Sequence, residues 1–168
     1  ILLSNLSEMA TLKIAFNTIT GDIYALPFQV REMVEKHGLD ILYVDYSQLY
    51  TASNHNQSKA AEIDFVSKTL KAIAMENNIP VVALTQFAKS ALNASMFELA
   101  DHFKESSSLK QDSSTAMVVA LEQTEEQKRS KDAKVIVLKN RNGVCFKPIE
   151  LNYIGEIFTF EEKYQKEV

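Results

Sequence analysis

The segment that most constrains this chain is Leu39-Asp40-Ile41-Leu42-Tyr43-Val44-Asp45-Tyr46-Ser47-Gln48-Leu49, an apolar run that breaks at one acidic residue. Strands covered on both faces read as near-continuous hydrophobics, whereas a strand with one wet face alternates. In open α/β sheets, ligands gather beyond the carboxyl ends of such strands. Asp45 therefore stands where a nucleotide's magnesium would be. A solvated turn that happens to hold an Asp reads the same way in isolation, so the rest of the chain has to decide between the two.

The flanking pattern alternates strand and helix. Residues 12–16 predict a short strand, followed by polar turn residues around Gly21. Leu26, Val30, Met33 and Val34 recur at helical spacing; Pro27 suits a first helical turn and His37-Gly38 supplies a stop. After the strand ending at Asp45, residues 51–58 are polar and Asn-rich and predict an exposed loop. Ile63, Val66, Leu70 and Ile73 then form the stripe of a long helix over 58–77, which Asn77-Asn78 ends. Pro80 opens the next strand, Val81-Val82-Ala83-Leu84, which runs into Thr85-Gln86. Such alternation predicts parallel pairing through right-handed crossovers.

The second half has another character. Residues 87–114 carry short helical patches and polar clusters, and 115–121 read as an apolar strand. A highly charged connector over 122–132 precedes strands at 133–138, about 146–151 and 157–160. The Asn142-Gly143 and Ile154-Gly155 breaks predict an antiparallel end to the sheet. The expected fold class is thus α/β, a mostly parallel twisted sheet flanked by helices with an antiparallel C-terminal hairpin.

Composition sets bounds on function. At 168 residues the chain suits one domain with a sizeable core. A net charge of −4 gives no global basic field, so any DNA contact must come from a local patch or from repetition around an oligomer. The single cysteine, Cys145, excludes an internal disulfide and fits a reducing cytoplasm. No apolar run reaches membrane-spanning length and nothing reads as a signal peptide, which predicts a cytoplasmic protein with no membrane partner. The chain starts at Ile1, which suggests a portion of a longer polypeptide.

Two pairs of residues carry candidate chemistry. Asp45 and Gln86 end successive buried strands. A carboxylate at that position can hold Mg²⁺ through water, and an amide can sense a terminal phosphate or orient an attacking water. Lys139 and Arg141 alternate directly after a strand, which predicts two cations on one face, suited to a phosphate clamp that could also serve a neighbouring subunit. His37, His55 and His102 are scattered without ligand spacing, and no base accompanies Cys145 to make it a nucleophile.

The order DILYVDYSQL (40–49), VSKTLKAIAMENNIPVVALTQ (66–86), KESSSLKQD (104–112) and KNRNG (139–143) resembles the C-terminal motor domain of the DnaB family of bacterial replicative helicases, hexameric RecA-like motors. The resemblance spans residues 12–160, and four ordered motifs are far more specific than any one. It implies an ATP-hydrolysing DNA helicase that works on single-stranded DNA as a homohexamer, with primase and a helicase loader as further partners. By position, Asp45 matches the Walker B aspartate assigned to Mg²⁺ and ATP. Gln86 matches the glutamine that couples the γ-phosphate to DNA loops, and Lys139 and Arg141 match paired cations that reach into the adjacent subunit's ATP site. Lys104, Glu105 and Ser107 fall on the loop that lines the central channel and tracks the DNA backbone.

The chain departs from that family in places. Arg-Glu-Ser-Gly in the channel loop is Lys-Glu-Ser-Ser here, which removes a flexible glycine and a bidentate phosphate donor. Glu-Gln-Asp-Ala-Asp becomes Lys-Gln-Asp-Ser-Ser, which keeps Gln111 and Asp112. A P-loop needs Gly-x-x-x-x-Gly-Lys-Ser/Thr. The four glycines here, Gly21, Gly38, Gly143 and Gly155, never precede a lysine. The family's catalytic glutamate also lies upstream of the matched region; Ser7-Glu8-Met9 echoes its motif but sits too close to Asp45. These 168 residues alone are therefore not expected to hydrolyse ATP. The competing expectation is a non-catalytic RecA-like module that binds or regulates a helicase or recombinase. A third is a relative in the recombinase or clock-ATPase branches, which KNRNG and ENNIPVVALTQ fit less well.

Overall fold

The computed structural model describes residues 11–17, 21–51, 58–86, 107–121 and 132–163. Helix α1 spans Leu26–His37, with Pro27 in its first turn, and ends where Gly38 adopts φ 69° and donates its N–H to the Val34 carbonyl. A left-handed residue there is what glycine supplies without a Cβ penalty. Strand β1, Leu42–Val44, leads into a 3-10 turn at Ser47–Leu49. Helix α2, Lys59–Asn77, starts at Ser58, whose hydroxyl accepts from the Ala61 N–H, and ends at left-handed Asn78. Strand β2, Val81–Ala83, pairs with β1 in parallel, aligning Leu42 with Val81 and Val44 with Ala83.

These elements enclose the main core of Ile23, Leu26, Val30, Val44, Val66, Leu70, Ile73 and Ile79. Close approach is needed where 21–23 meets 49–51. Thr51 donates its N–H to the Gly21 carbonyl at 2.6 Å, and a Cβ on Gly21 would lie 2.7 Å from the Leu49 carbonyl oxygen.

Helix α3, Ser107–Asp112, precedes β3, Thr115–Leu121, and then β4, Asp132–Asn140; β5, Pro148–Ile154; and β6, Thr159–Glu162. The four strands form an antiparallel meander in the order β3-β4-β5-β6. A bulge between Ala116 and Met117 interrupts the β3–β4 register. One meander face carries Val118 and Ile136, aligned and both buried. On the other face Val119, Val135 and Ile149 sit in one cross-strand row, and Val119 and Ile149 are 55% and 50% exposed.

Three expectations need correction. The sheet is not mostly parallel among the described residues: β1–β2 is the parallel pair and the antiparallel part has four strands, not a terminal hairpin. Residues 12–16 form no strand; Leu12, Ile14 and Phe16 are exposed, and no described segment offers them a ladder of backbone partners. Strand β1 is covered on one face alone, since Val44 is buried while Tyr43 and its partner Val82 are exposed. The charged connector at 122–131 and residues 87–106 lie outside the described residues.

Candidate nucleotide site

Parallel pairing sets β1 and β2 side by side, so their carboxyl ends face the same way. The Leu84 N–H donates to the Val44 carbonyl at 2.9 Å, and the Ser47 N–H returns to the Leu84 carbonyl at 2.9 Å. Asp45 therefore lies level with Leu84, and Gln86 lies two residues further out along the neighbouring chain. Both side chains are exposed. Among the described residues, no hydrogen bond or ion pair engages the Asp45 carboxylate or the Gln86 amide. Parallel pairing thus sets the strand ends that carry these two residues side by side.

Gln48, which sequence reasoning passed over, ties the two strand ends together. Its Nε2 donates to Thr85 Oγ1 at 2.5 Å and to the Gln86 carbonyl at 3.2 Å. One amide group thus holds the Thr85 hydroxyl and the Gln86 carbonyl, next to the β1 end that presents Asp45. A glutamine three residues past a strand-ending aspartate was the available signal. Its partners lie too far along the chain to be guessed.

A shallow cleft beside this junction is lined by Ser47, Gln48, Tyr50, Val66, Thr85 and Leu109. Burial pushes the Tyr50 phenol above its ordinary value of 10.0. No cluster of three or more His, Cys, Asp or Glu side chains occurs among the described residues. Asp45 offers one exposed carboxylate at this strand end, and Mg²⁺ is a cation that can be held through one or two carboxylates while keeping several waters.

Lys139 and Arg141 have different local surroundings. Lys139 belongs to β4, and its ammonium donates to the carbonyls of Lys110, Gln111 and Ser113 at 2.5, 2.9 and 2.6 Å. Burial, followed by the charges of Arg141 and Lys71, holds it below the usual lysine range. Arg141 sits in the turn after β4, is exposed, and has no side-chain partner among the described residues; its N–H donates to the Ser114 carbonyl at 3.0 Å. The expectations for Lys104 and Glu105 fall outside the described residues, and Ser107 is the first residue of α3. Asp112, at the other end of that helix, accepts from Ser67 Oγ at 2.8 Å and lies 3.7 Å from Lys71 Nζ.

Comparison with known proteins agrees with this architecture. The family model described as "DnaB-like helicase C terminal domain" matches residues 2–162. The replicative DNA helicase DnaB of Rickettsia felis is 32% identical over 141 residues, covering 72% of this chain and 28% of that protein. A probable plasmid replicative DNA helicase of Chlamydia psittaci is 30% identical over 127 residues, covering 74% of this chain and 28% of its own length. The chain thus spans little more than a quarter of these relatives. Among solved structures, one described as an ATPase domain superposes with a TM-score of 0.80 at 24% identity, covering 97% of this chain and 59% of that one. A DnaB-like replicative helicase, studied for its interactions with primase, superposes at 0.81 with 23% identity, covering 97% and 41%. At those identities the superpositions speak for the fold, which is α/β. The family match covers nearly the whole chain, and the chain belongs to the DnaB-like helicase C-terminal domain family.

Proposed function

We propose that residues 1–168 are the C-terminal portion of one RecA-like motor domain in a replicative DNA helicase. The observation that carries this reading is the pair of polar side chains, Asp45 and Gln86, unengaged among the described residues, on hydrogen-bonded parallel strand ends, within a chain of this family. Asp45 would hold the Mg²⁺ of ATP, and the divalent ion would supply charge neutralisation at the phosphates. Gln86, locked in place by Gln48, would sense the terminal phosphate and pass its state to the segment that carries Lys104, Glu105 and Ser107 against single-stranded DNA. Arg141, exposed and unpaired among the described residues, would reach the ATP site of the next subunit in a homohexamer. Phosphate contacts of this kind read little sequence. Primase and a loader are the further partners this reading calls for, in a cytoplasmic setting. No helix among the described residues is long and apolar enough to cross a membrane.

The phosphate cradle is not in these 168 residues, so the motor needs a P-loop from a longer polypeptide. The same fact favours a second reading, a non-catalytic RecA-like module that regulates a helicase or recombinase. The coding sequence upstream of Ile1 discriminates. A P-loop followed by a catalytic glutamate supports the motor, and a start codon near Ile1 sinks it.

The direct biochemical test is Arg141→Ala in the full-length protein. DNA-dependent ATP hydrolysis collapses by at least about 10³-fold, as for a trans cation. Mixing with Asp45→Asn subunits partly restores it. Normal hydrolysis by Arg141→Ala with DNA present would remove the trans assignment.

A further inference from the structure

The backbone ladder between β1 and β2 ends early. Its last two rungs run from the Leu84 N–H to the Val44 carbonyl and from the Ser47 N–H to the Leu84 carbonyl. Beyond them β1 turns away into the 3-10 turn at Ser47–Leu49, where the Leu49 N–H donates to the Tyr46 carbonyl and the Tyr50 N–H to the Ser47 carbonyl. Among the described residues, no backbone hydrogen bond then engages Thr85 or Gln86. A strand end without partners frays. Gln48 stands where the next rung is missing. A glutamine side chain ends in an amide, the same chemical group as a peptide unit, and its nitrogen carries two donors. One goes to Thr85 Oγ1 and the other to the Gln86 carbonyl. That carbonyl can only accept, so the nitrogen of the amide faces β2. The Thr85 contact is half-buried, in the cleft that Val66 and Leu109 also line.

We propose that Gln48 is a positioning residue. Its side-chain amide adds one rung to the parallel ladder and so fixes the backbone of Gln86 beside the strand end that carries Asp45. With the Gln86 carbonyl held, the direction in which its side chain leaves the backbone is set independently of any nucleotide. That the positioned amide serves ATP hydrolysis rests on the functional reading above; the rung itself does not. In this role Gln48 contacts neither phosphate nor metal. Its loss therefore lowers turnover without changing KM, and removes nothing further once the Gln86 amide is gone.

The kinetic test uses DNA-stimulated ATP hydrolysis by the full-length protein. Gln48→Met keeps the length of the side chain and removes both donors; kcat falls at least about tenfold with KM for ATP unchanged. Gln86→Ala lowers kcat as well, and the double variant is no slower than Gln86→Ala alone. Losses that multiply, a normal kcat for Gln48→Met, or a loss carried in KM overturn the positioning role. Hydrogen exchange on the same protein without nucleotide tests the rung apart from the chemistry. In Gln48→Met the Ser47 and Leu84 amides exchange at least about fivefold faster. The Gly38 and Phe146 amides, bonded to Val34 and Val137, keep their protection. Unchanged protection at Ser47 and Leu84 overturns the proposal. If Met loosens all four, Gln48→Glu reads the same amides, because a carboxylate keeps the length but cannot donate. Faster exchange confined to Ser47 and Leu84 supports the rung; full protection, or loosening of all four again, overturns it. Normal hydrolysis by Gln86→Ala would instead sink the functional reading of Gln86, and the exchange result then decides the rung alone.

Discussion

The α1–β1–α2–β2 unit and the antiparallel meander treat their apolar side chains differently. In the first, two helices close over one sheet face, and Ile23 and Ile73 are fully withdrawn from water. In the second, Val118, Ile136 and Leu138 are buried while the row through Val119 and Ile149 stays open, with exposed Met117 two residues before Val119 on the same strand. The helix-covered unit builds the ends of β1 and β2 from its own residues. The meander carries a face whose composition is written for contact with something else, since contiguous apolar surface of this kind marks an interaction site. The open Tyr43–Val82 face of β1–β2 has the same character. Both open faces accord with the proposal that further polypeptide completes the motor.

Substitutions can break this contrast. Ile73→Ala removes a fully buried side chain from the main core and is expected to cost about 2–5 kcal/mol in denaturant unfolding. Val119→Lys, on the open row, is expected to cost no more than about 0.5 kcal/mol and to reduce self-association in light scattering. Equal losses from the two would mean that the meander face is covered. Gln48→Ala sharpens the account of the helix-covered unit. It removes two hydrogen bonds that join the strand ends, costs about 1 kcal/mol, and loosens exchange at the β1–β2 junction while leaving the meander amides unchanged. Loosening spread evenly over both regions would contradict the separation.

The smallest effect concerns pH. The Tyr50 phenol packs against the core, and burial raises its pKa above 10.0. The unfolded chain ionises first, so the stability contributed by the neutral phenol is complete below about pH 10. It is lost as pH rises through the folded value. Unfolding midpoints compared at about pH 9 and 11 should fall more steeply for the native chain than for Tyr50→Phe. Parallel declines would mean that the phenol is solvated.

Local signals were legible in the sequence where the chain itself supplies the partner. The end of α2 at Asn77-Asn78, Gly38 ending α1 and the apolar stripe of Val66, Leu70 and Ile73 are each decided within a few residues. That the ends of β1 and β2 lie side by side was legible because strand–helix–strand alternation predicts parallel neighbours. Residues 12–16 misled because apolar alternation describes a strand only when another strand accepts its hydrogen bonds. The size of the meander was underestimated because β4 and β5 run through Lys139-Asn140 and Asn152-Tyr153, polar residues that read as loop edges. The partners of Lys139 within its own chain were not legible, because its acceptors are main-chain carbonyls at the end of a helix. No side-chain pattern announces them.

Magnesium-linked nucleotide binding by the full-length protein bears most directly on the site. A non-hydrolysable ATP analogue, titrated with and without Mg²⁺, should bind the native protein at least about tenfold more tightly with the ion, the gain expected from one charge-assisted contact. Asp45→Asn should bind the metal-free analogue as the native protein does and lose that gain. An Asp45→Asn protein that keeps the full Mg²⁺-dependent gain would contradict the assignment of this strand end to the nucleotide.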